Sequence, residues 1–184
     1  MARSRHAPTV TLEFLVPRLL LGVLLHAPAR PADSQAPWKV GLRSTGPIRY
    51  GMTVQELERA LGRKLMDTTG RQPESCDYIL VQSGPNSIGV MVVGVRVMRV
   101  DVRSHSIATI SGAQVGDPGA RIHKLYSRRI EVTPHKYIHG HYLTFVPADE
   151  QDQGYPLIFE TDGDKVLEYR AGPLPAVEWV ERCS

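Results

Sequence analysis

Two runs decide the fold, Gly112–Phe145, "GAQVGDPGARIHKLYSRRIEVTPHKYIHGHYLTF", and Pro156–Arg170, "PLIFETDGDKVLEYR". Gly116-Asp117-Pro118 reads as a helix start, with Asp117 as N-cap and Pro118 in the first helical position. Ala120, Ile122, Leu125 and Tyr126 supply the buried stripe of that helix. Strand-like runs follow at Ile130–Thr133, His141–Pro147, Leu157–Thr161 and Lys165–Ala171, and Asp162-Gly163 is a hairpin turn between the last two. The acidic, polar stretch Ala148–Gly154 reads as an exposed loop.

Working toward the N-terminus, the same order recurs in looser form between Pro47 and Val102. Thr53 and Glu56 make a capping box, Val54, Leu57 and Leu61 fall on one helical face, and Gly62 sits where a left-handed C-terminal residue is wanted. After a polar loop come Tyr78–Gln82, Ile88–Val93 and Val95–Val102, with turns at Gly84/Asn86 and at Gly94. Val95 and Val97 alternate against Arg96, Met98 and Val100, which leaves the buried face of this last run open. The expectation is an α+β chain of two tandem units, each a short helix region packed on an antiparallel β-sheet. Residues 47–110 form the first unit and residues 111–184 the second.

Residues 1–29 carry Arg3 and Arg5, an apolar run from Leu19 to Leu25, and Ala27-Pro28-Ala29, the layout of a secretory signal. The continuous run is shorter than the roughly 20 apolar residues a membrane helix needs. No stable membrane insertion is therefore expected once this segment is cleaved. Residues 30–46 read as a Pro-rich tail or linker in which Trp38 and Val40 dock on the body. Of 22 basic and 19 acidic residues in the whole chain, those beyond residue 29 number 19 and 18. The mature protein is therefore close to neutral, and nucleic acid is not an expected partner.

Cys76 and Cys183 are the chain's two cysteines. Both lie in the exported part, where such a pair forms a disulfide more often than it stays free. Secretion or the periplasm is the expected location, and the protein is expected to be a monomer.

Gly51-Met52-Thr53 with Glu56, Leu57 and Leu61-Gly62 resembles the helix start of the small envelope proteins related to the BamE/SmpA outer-membrane assembly component and to the tandem-repeat β-lactamase inhibitor proteins. Val115-Gly116-Asp117 with Leu125-Tyr126 looks like a second copy, in which Asp replaces the capping Thr. Adding Pro134–Tyr137, Gly140–Leu143, Phe159–Gly163 and Val180–Ser184, the chain is similar over residues 47–184 to uncharacterised secreted bacterial proteins of doubled layout. The resemblance implies helices on antiparallel sheet, and, more weakly, an inhibitor or assembly role. The chain differs from the assembly factor in having two units and no lipobox cysteine, and from the inhibitors in having one disulfide.

Catalytic motifs are sparse. His135, His139 and His141 form the densest set of ligand-type side chains, and a zinc site would need a further ligand such as His123 or Glu131. Glu160, Asp162 and Asp164 crowd a hairpin but miss the calcium-loop spacing. Ser104-His105 and Ser111-Gly112 lack a nucleophile elbow, and no phosphate loop occurs. Arg121, His123, Lys124, Arg128 and Arg129 complement the end of the second helix dipole or meet an anionic partner.

The sequence thus favours a non-catalytic binding module with no cofactor, whose partner is an extracytoplasmic protein. His135, Lys136, Tyr137, His141 and Tyr142 are the expected binding residues, because they group aromatic and polar side chains as interface cores do. The alternatives are a metal-dependent enzyme using His135, His139 and His141, and an accessory factor for outer-membrane assembly.

Overall fold

The computed structural model describes residues 38–82, 88–127 and 129–183. The signal-like segment, the first part of the Pro-rich stretch and the Gly84/Asn86 turn lie outside the described residues. Within them the fold is α+β and dominated by sheet.

The N-terminal part is made of three two-residue strands, β1 (Lys39–Val40), β2 (Ser44–Thr45) and β3 (Ile48–Arg49). Helix α1 (Val54–Leu61) follows, then β4 (Cys76–Gln82), β5 (Ile88–Val93), β6 (Arg96–Val102) and the short β7 (Ala108–Thr109). Helix α2 (Gly119–Tyr126) leads into β8 (Ile130–Pro134), β9 (His141–Phe145), β10 (Leu157–Thr161) and β11 (Val166–Ala171). A short 3-10 turn, Ala176–Glu178, lies near the C-terminus.

One seven-stranded sheet, ordered β4-β5-β6-β11-β10-β9-β8, carries the body, and all of its neighbouring strands pair antiparallel. Its centre is the β6–β11 pairing, where Asp101 stands opposite Arg170 and Val102 opposite Tyr169. A four-stranded sheet, β3-β2-β1-β7, is built from the short strands, with β1 and β7 parallel. Val40 is 1% exposed, and Trp38 packs against the core, as expected of the segment that carries them.

Local chemistry sets the helices. Thr53 Oγ1 accepts from Glu56 N at 3.2 Å while Glu56 Oε2 accepts from Thr53 N at 2.8 Å, and Gly62 closes α1 at φ 67°. That φ favours glycine because a Cβ would crowd the backbone there. Val54 and Leu57 are fully buried and Leu61 packs at the margin. α2 begins later than the sequence implies, because Asp117 is engaged elsewhere: its Oδ2 accepts from Gln114 N at 2.9 Å and Arg121 Nε at 3.0 Å. Pro118 becomes the N-cap, without a side-chain bond, and Ala120 is exposed while Ile122 and Tyr126 are buried. The Asp162-Gly163 turn forms as expected, with Asp162 Oδ1 accepting from Asp164 N and Lys165 N.

The two faces of the large sheet are covered differently. Val90, Val92, Val100, Val102, Phe159 and Tyr169 belong to one continuous core with Val54, Leu57, Ile122 and Val40. The opposite, outer face carries Met91, Arg99, Asp101, Glu168, Arg170, Ile158, Glu160 and Tyr142 by the register of the pairs. A bulge between Met91 and Val92 opposite Arg99 and Val97 reconciles the two alternations of β6. It puts Val97 and Val100 on the core side and Arg99 and Asp101 on the outer side.

The C-terminal segment crosses this outer face. In sequence, Pro173–Val180 reads as a final edge segment leading to Cys183; Pro173 and Pro175 remove two ladder donors, and the backbone turns back on itself rather than adding a strand. Val177 N bonds Pro173 O, Glu178 N bonds Pro175 O, and Arg182 N bonds Trp179 O. Ala176 and Val177 are buried, with Val177 against Tyr142 and Ile158. Cys183 is disulfide-bonded to Cys76 on the edge strand β4, with Cα atoms 5.3 Å apart.

Candidate functional site

Two buried arginines hold the C-terminal segment. Arg99, 0% exposed, donates from Nε to Asp101 Oδ1 at 2.9 Å and from Nη1 to the carbonyls of Ala176, at 3.3 Å, and Trp179. Arg170, 2% exposed, donates from Nε to Val177 O at 2.7 Å and pairs with Glu160 through Nη1. Burial, with the neighbouring Arg99 charge, lowers the Arg170 pKa to about 10, which leaves it cationic at neutral pH. A buried charge needs a partner and hydrogen bonds for its remaining donors. The carbonyls of the segment supply acceptors to both guanidinium groups.

The segment returns the favour with Arg182. Its Nη2 lies 2.8 and 3.1 Å from the two Glu168 carboxylate oxygens, its Nε is 3.8 Å from Asp101 Oδ2, and its guanidinium sits 5.2 Å from the centre of the Tyr78 ring. Arg103 also pairs with Glu168. Glu168 and Glu160 face each other across β10 and β11, an arrangement that is unfavourable without cations between them. Arg170 neutralises one of them, and Arg103 with Arg182 the other. Partial burial, with Asp101 nearby, raises the Tyr78 phenol pKa to about 12.

The expected binding residues divide into two groups. His135 and Tyr142 turn inward: their rings stack with centroids 4.5 Å apart, and Arg170 lies 5.5 Å from the Tyr142 ring centre. His135 Nδ1 accepts from Tyr137 N at 3.1 Å and Ile138 N at 3.3 Å, so Nε2 carries the proton and faces Glu160 Oε2 at 3.3 Å. Burial and the Arg170 charge lower the His135 pKa. The contact at neutral pH is therefore a neutral N–H on a carboxylate rather than an ion pair.

Lys136 and Tyr137 point outward. Lys136 Nζ donates to Glu181 Oε1 at 3.0 Å, the Tyr137 hydroxyl donates to the same oxygen, and the ammonium lies 5.1 Å from the Tyr137 ring centre. The Tyr137 and Glu181 bonds raise the Lys136 pKa, and the same contacts lower that of Glu181. His141 is exposed, its backbone held by Thr161 Oγ1. Among the described residues no group of three His, Cys, Asp or Glu side chains is placed to hold a metal ion. His139 and His141 lie on the exposed side of the β8–β9 hairpin, whereas His135 is turned into the sheet.

An open cleft of about 470 Å³ lies where the hairpin, the C-terminal segment and the disulfide meet, lined by Cys76, Lys136, Trp179, Val180, Glu181, Arg182 and Cys183. Tyr137 and Trp179 are 59% and 40% exposed beside it. Sequence reasoning reached Lys136 and Tyr137 but not Trp179, Glu181 or the buried charges. The one signal for the latter was alternation of opposite charges on strands otherwise rich in β-branched residues: Arg99/Asp101 and Glu168/Arg170.

No protein-family model matches the chain, and no curated protein matches it in sequence. Among solved structures it is similar to the uncharacterized protein yfeY from Escherichia coli, at 18% identity and a TM-score of 0.46, over 73% of this chain and 99% of that one. It is also similar to an extracellular protein containing an SCP domain from Bacillus anthracis, at 9% identity and a TM-score of 0.47. That match covers 84% of this chain and 51% of the other, so the chain spans about half the length of that protein. Neither lends this chain a function.

Proposed function

We propose that the protein is an extracytoplasmic, non-catalytic protein-binding module whose contact surface is the rim formed by the β8–β9 hairpin and the C-terminal segment. The observation that carries this reading is the exposure of Tyr137 and Trp179 beside the cleft lined by Lys136, Glu181 and Arg182. Aromatic side chains on a held backbone, ringed by charges, are the composition of interface hot spots. The Lys136–Glu181 and Tyr137–Glu181 bonds join hairpin to segment, so the rim reaches a partner already ordered, with less conformational entropy to lose on binding.

The order helix-then-strands occurs twice, α1 before β4–β6 and α2 before β8–β11. We read this as two tandem units merged into one sheet at β6 and β11. The resemblance to BamE/SmpA-like and inhibitor-like proteins rests on the motif residues at the two helix starts. Secretion or periplasmic residence is supported by the signal-like N-terminus and by the Cys76–Cys183 bond.

The test is a pull-down with the oxidised protein from secreted and envelope extracts, beside a variant with Lys136→Ala, Tyr137→Ala and Trp179→Ala. A partner held by the wild type and lost by the folded variant supports the reading. A partner retained equally by both contradicts it.

A further inference from the structure

The C-terminal segment, residues 173–183, does more than cover the sheet. The socket that receives Arg182 has the parts of a guanidinium receptor: both oxygens of Glu168 on one nitrogen, Asp101 Oδ2 facing Nε, and the Tyr78 ring below. Glu168 chelates a single guanidinium nitrogen in a charge-assisted contact, a second carboxylate faces Nε, and an aromatic face adds cation–π attraction. Asp101 is 2% exposed and Glu168 8% exposed, so the receptor is built into the sheet rather than laid on its surface. Asp101 Oδ2 has no hydrogen bond, among the described residues, beyond its ion pair with Arg182.

The occupant is tethered differently at its two ends. Ala176 and Val177 are buried and bonded to Arg99 and Arg170, while Trp179, Glu181, Arg182 and Cys183 lie at or near the surface. The segment's outer end adds no strand to the sheet; besides Arg182, Glu181 and the Arg99 bond to the Trp179 carbonyl it is fixed by the Cys183–Cys76 bond, and both cysteines line the open cleft. The bond therefore borders a cleft that is open to solvent.

We propose that Asp101, Glu168 and Tyr78 form a receptor for an arginine side chain of a partner polypeptide, kept filled in cis by Arg182 and released by reduction of Cys76–Cys183. The reductant is a dithiol. Its thiolate attacks Cys183 Sγ, the S–S bond breaks, and Cys76 leaves as a thiolate that takes up a proton. The second thiol of the reductant then displaces Cys183, which also becomes a thiol, and the dithiol ends as a cyclic disulfide after passing two electrons. With the covalent tie gone, residues 180–183 dissociate from the socket while Val177 and the Trp179 backbone stay seated on Arg170 and Arg99. An incoming arginine then replaces Arg182 on the same carboxylates.

This deepens the protein-binding reading by naming the chemistry of a partner, and rests on that reading only for the existence of one. The pull-down uses oxidised protein alone, whereas the following comparison is between redox states, so each can fail without the other.

The experiment uses the full mature chain, oxidised or treated with dithiothreitol, and a fluorescein-labelled peptide of residues 178–184 carrying Cys183→Ser. Binding is read by anisotropy, and backbone amide exchange is followed on the same samples. The expected result is binding to reduced protein at least about tenfold tighter than to oxidised protein, lost when the peptide also carries Arg182→Ala. Amides of residues 180–183 exchange faster after reduction while those of β5 and β10 keep their protection. The proposal is overturned by equal or absent binding in the two states or by binding indifferent to the peptide arginine. It is also overturned if protection in β5 and β10 is lost together with that of the tail.

Discussion

Arg99 and Asp101 lie two residues apart on one strand, both buried, with Nε and Nη2 of the arginine 2.9 and 2.8 Å from the same carboxylate oxygen. The Arg99 guanidinium also reaches the carbonyls of Ala176 and Trp179, so one side chain joins the sheet's interior to the segment that covers it. Removing one member of a buried pair leaves the other uncompensated, which costs about 3–5 kcal/mol, whereas an apolar pair of similar volume is often tolerated. Arg99→Met should therefore lower unfolding free energy in urea by that order. The double variant Arg99→Met with Asp101→Leu should recover much of the loss, and failure to recover would mean that the tail carbonyls, not Asp101, dominate the cost.

Stability should fall in mild acid through His135. Its pKa is depressed in the folded protein by burial and by Arg170, against about 6.5 in the unfolded chain. Between those two values the unfolded state binds the extra proton, so unfolding becomes easier as pH drops below about 6.5 and the contribution is complete below the folded value. In His135→Gln the urea midpoint should depend less steeply on pH below about 6.5 than in the wild type. An unchanged slope would assign the acid sensitivity to other groups.

Gly140 allows the β8–β9 hairpin to approach β10. A Cβ there would stand 1.9 Å from the carbonyl oxygen of Thr161, a backbone atom that cannot rotate away. Gly140→Ala should destabilise by about 1–3 kcal/mol, the range typical of overpacking. Gly154→Ala is the control: a Cβ at Gly154 meets nothing within 4 Å, and its change should stay within about 0.5 kcal/mol. Thermal melts of both variants decide the point.

The capping box of α1 is a separable local contribution. Thr53→Ala removes the acceptor for Glu56 N and should cost about 1 kcal/mol. Thr53→Ser keeps the oxygen and should restore most of it in the same melts.

These sites also show what the sequence makes legible. The α1 start and stop, the Asp162-Gly163 hairpin and the run positions of β4–β6 and β8–β11 follow from local signals: caps, turn glycines and alternation of apolar residues. The four-stranded sheet does not, because strands of two residues, such as Lys39–Val40, have no periodicity to read. Nor does the orientation of β6, where a bulge shifts the alternation by one residue between Val97 and Arg99. Arg99, Asp101, Glu168 and Arg170 look in sequence like a solvated sheet face, since charged residues are rarely buried unless paired. They are buried because a distant segment, fixed by Cys183, lies over them. Lys136 and Tyr137 were visible as a polar-aromatic cluster, but their common partner Glu181 is 45 and 44 residues away and nothing local announces it.

The most direct measurement of the central claim is site-specific photocrosslinking from the oxidised protein in its own envelope or medium. A photoreactive phenylalanine is placed at Tyr137, at Trp179, or at Ile110, which is 70% exposed next to β7 of the four-stranded sheet. The account predicts one adduct of the same mass from positions 137 and 179 and none from position 110. No adduct from the first two, or equal adducts from all three, would contradict the assignment of the hairpin and C-terminal rim as the binding surface.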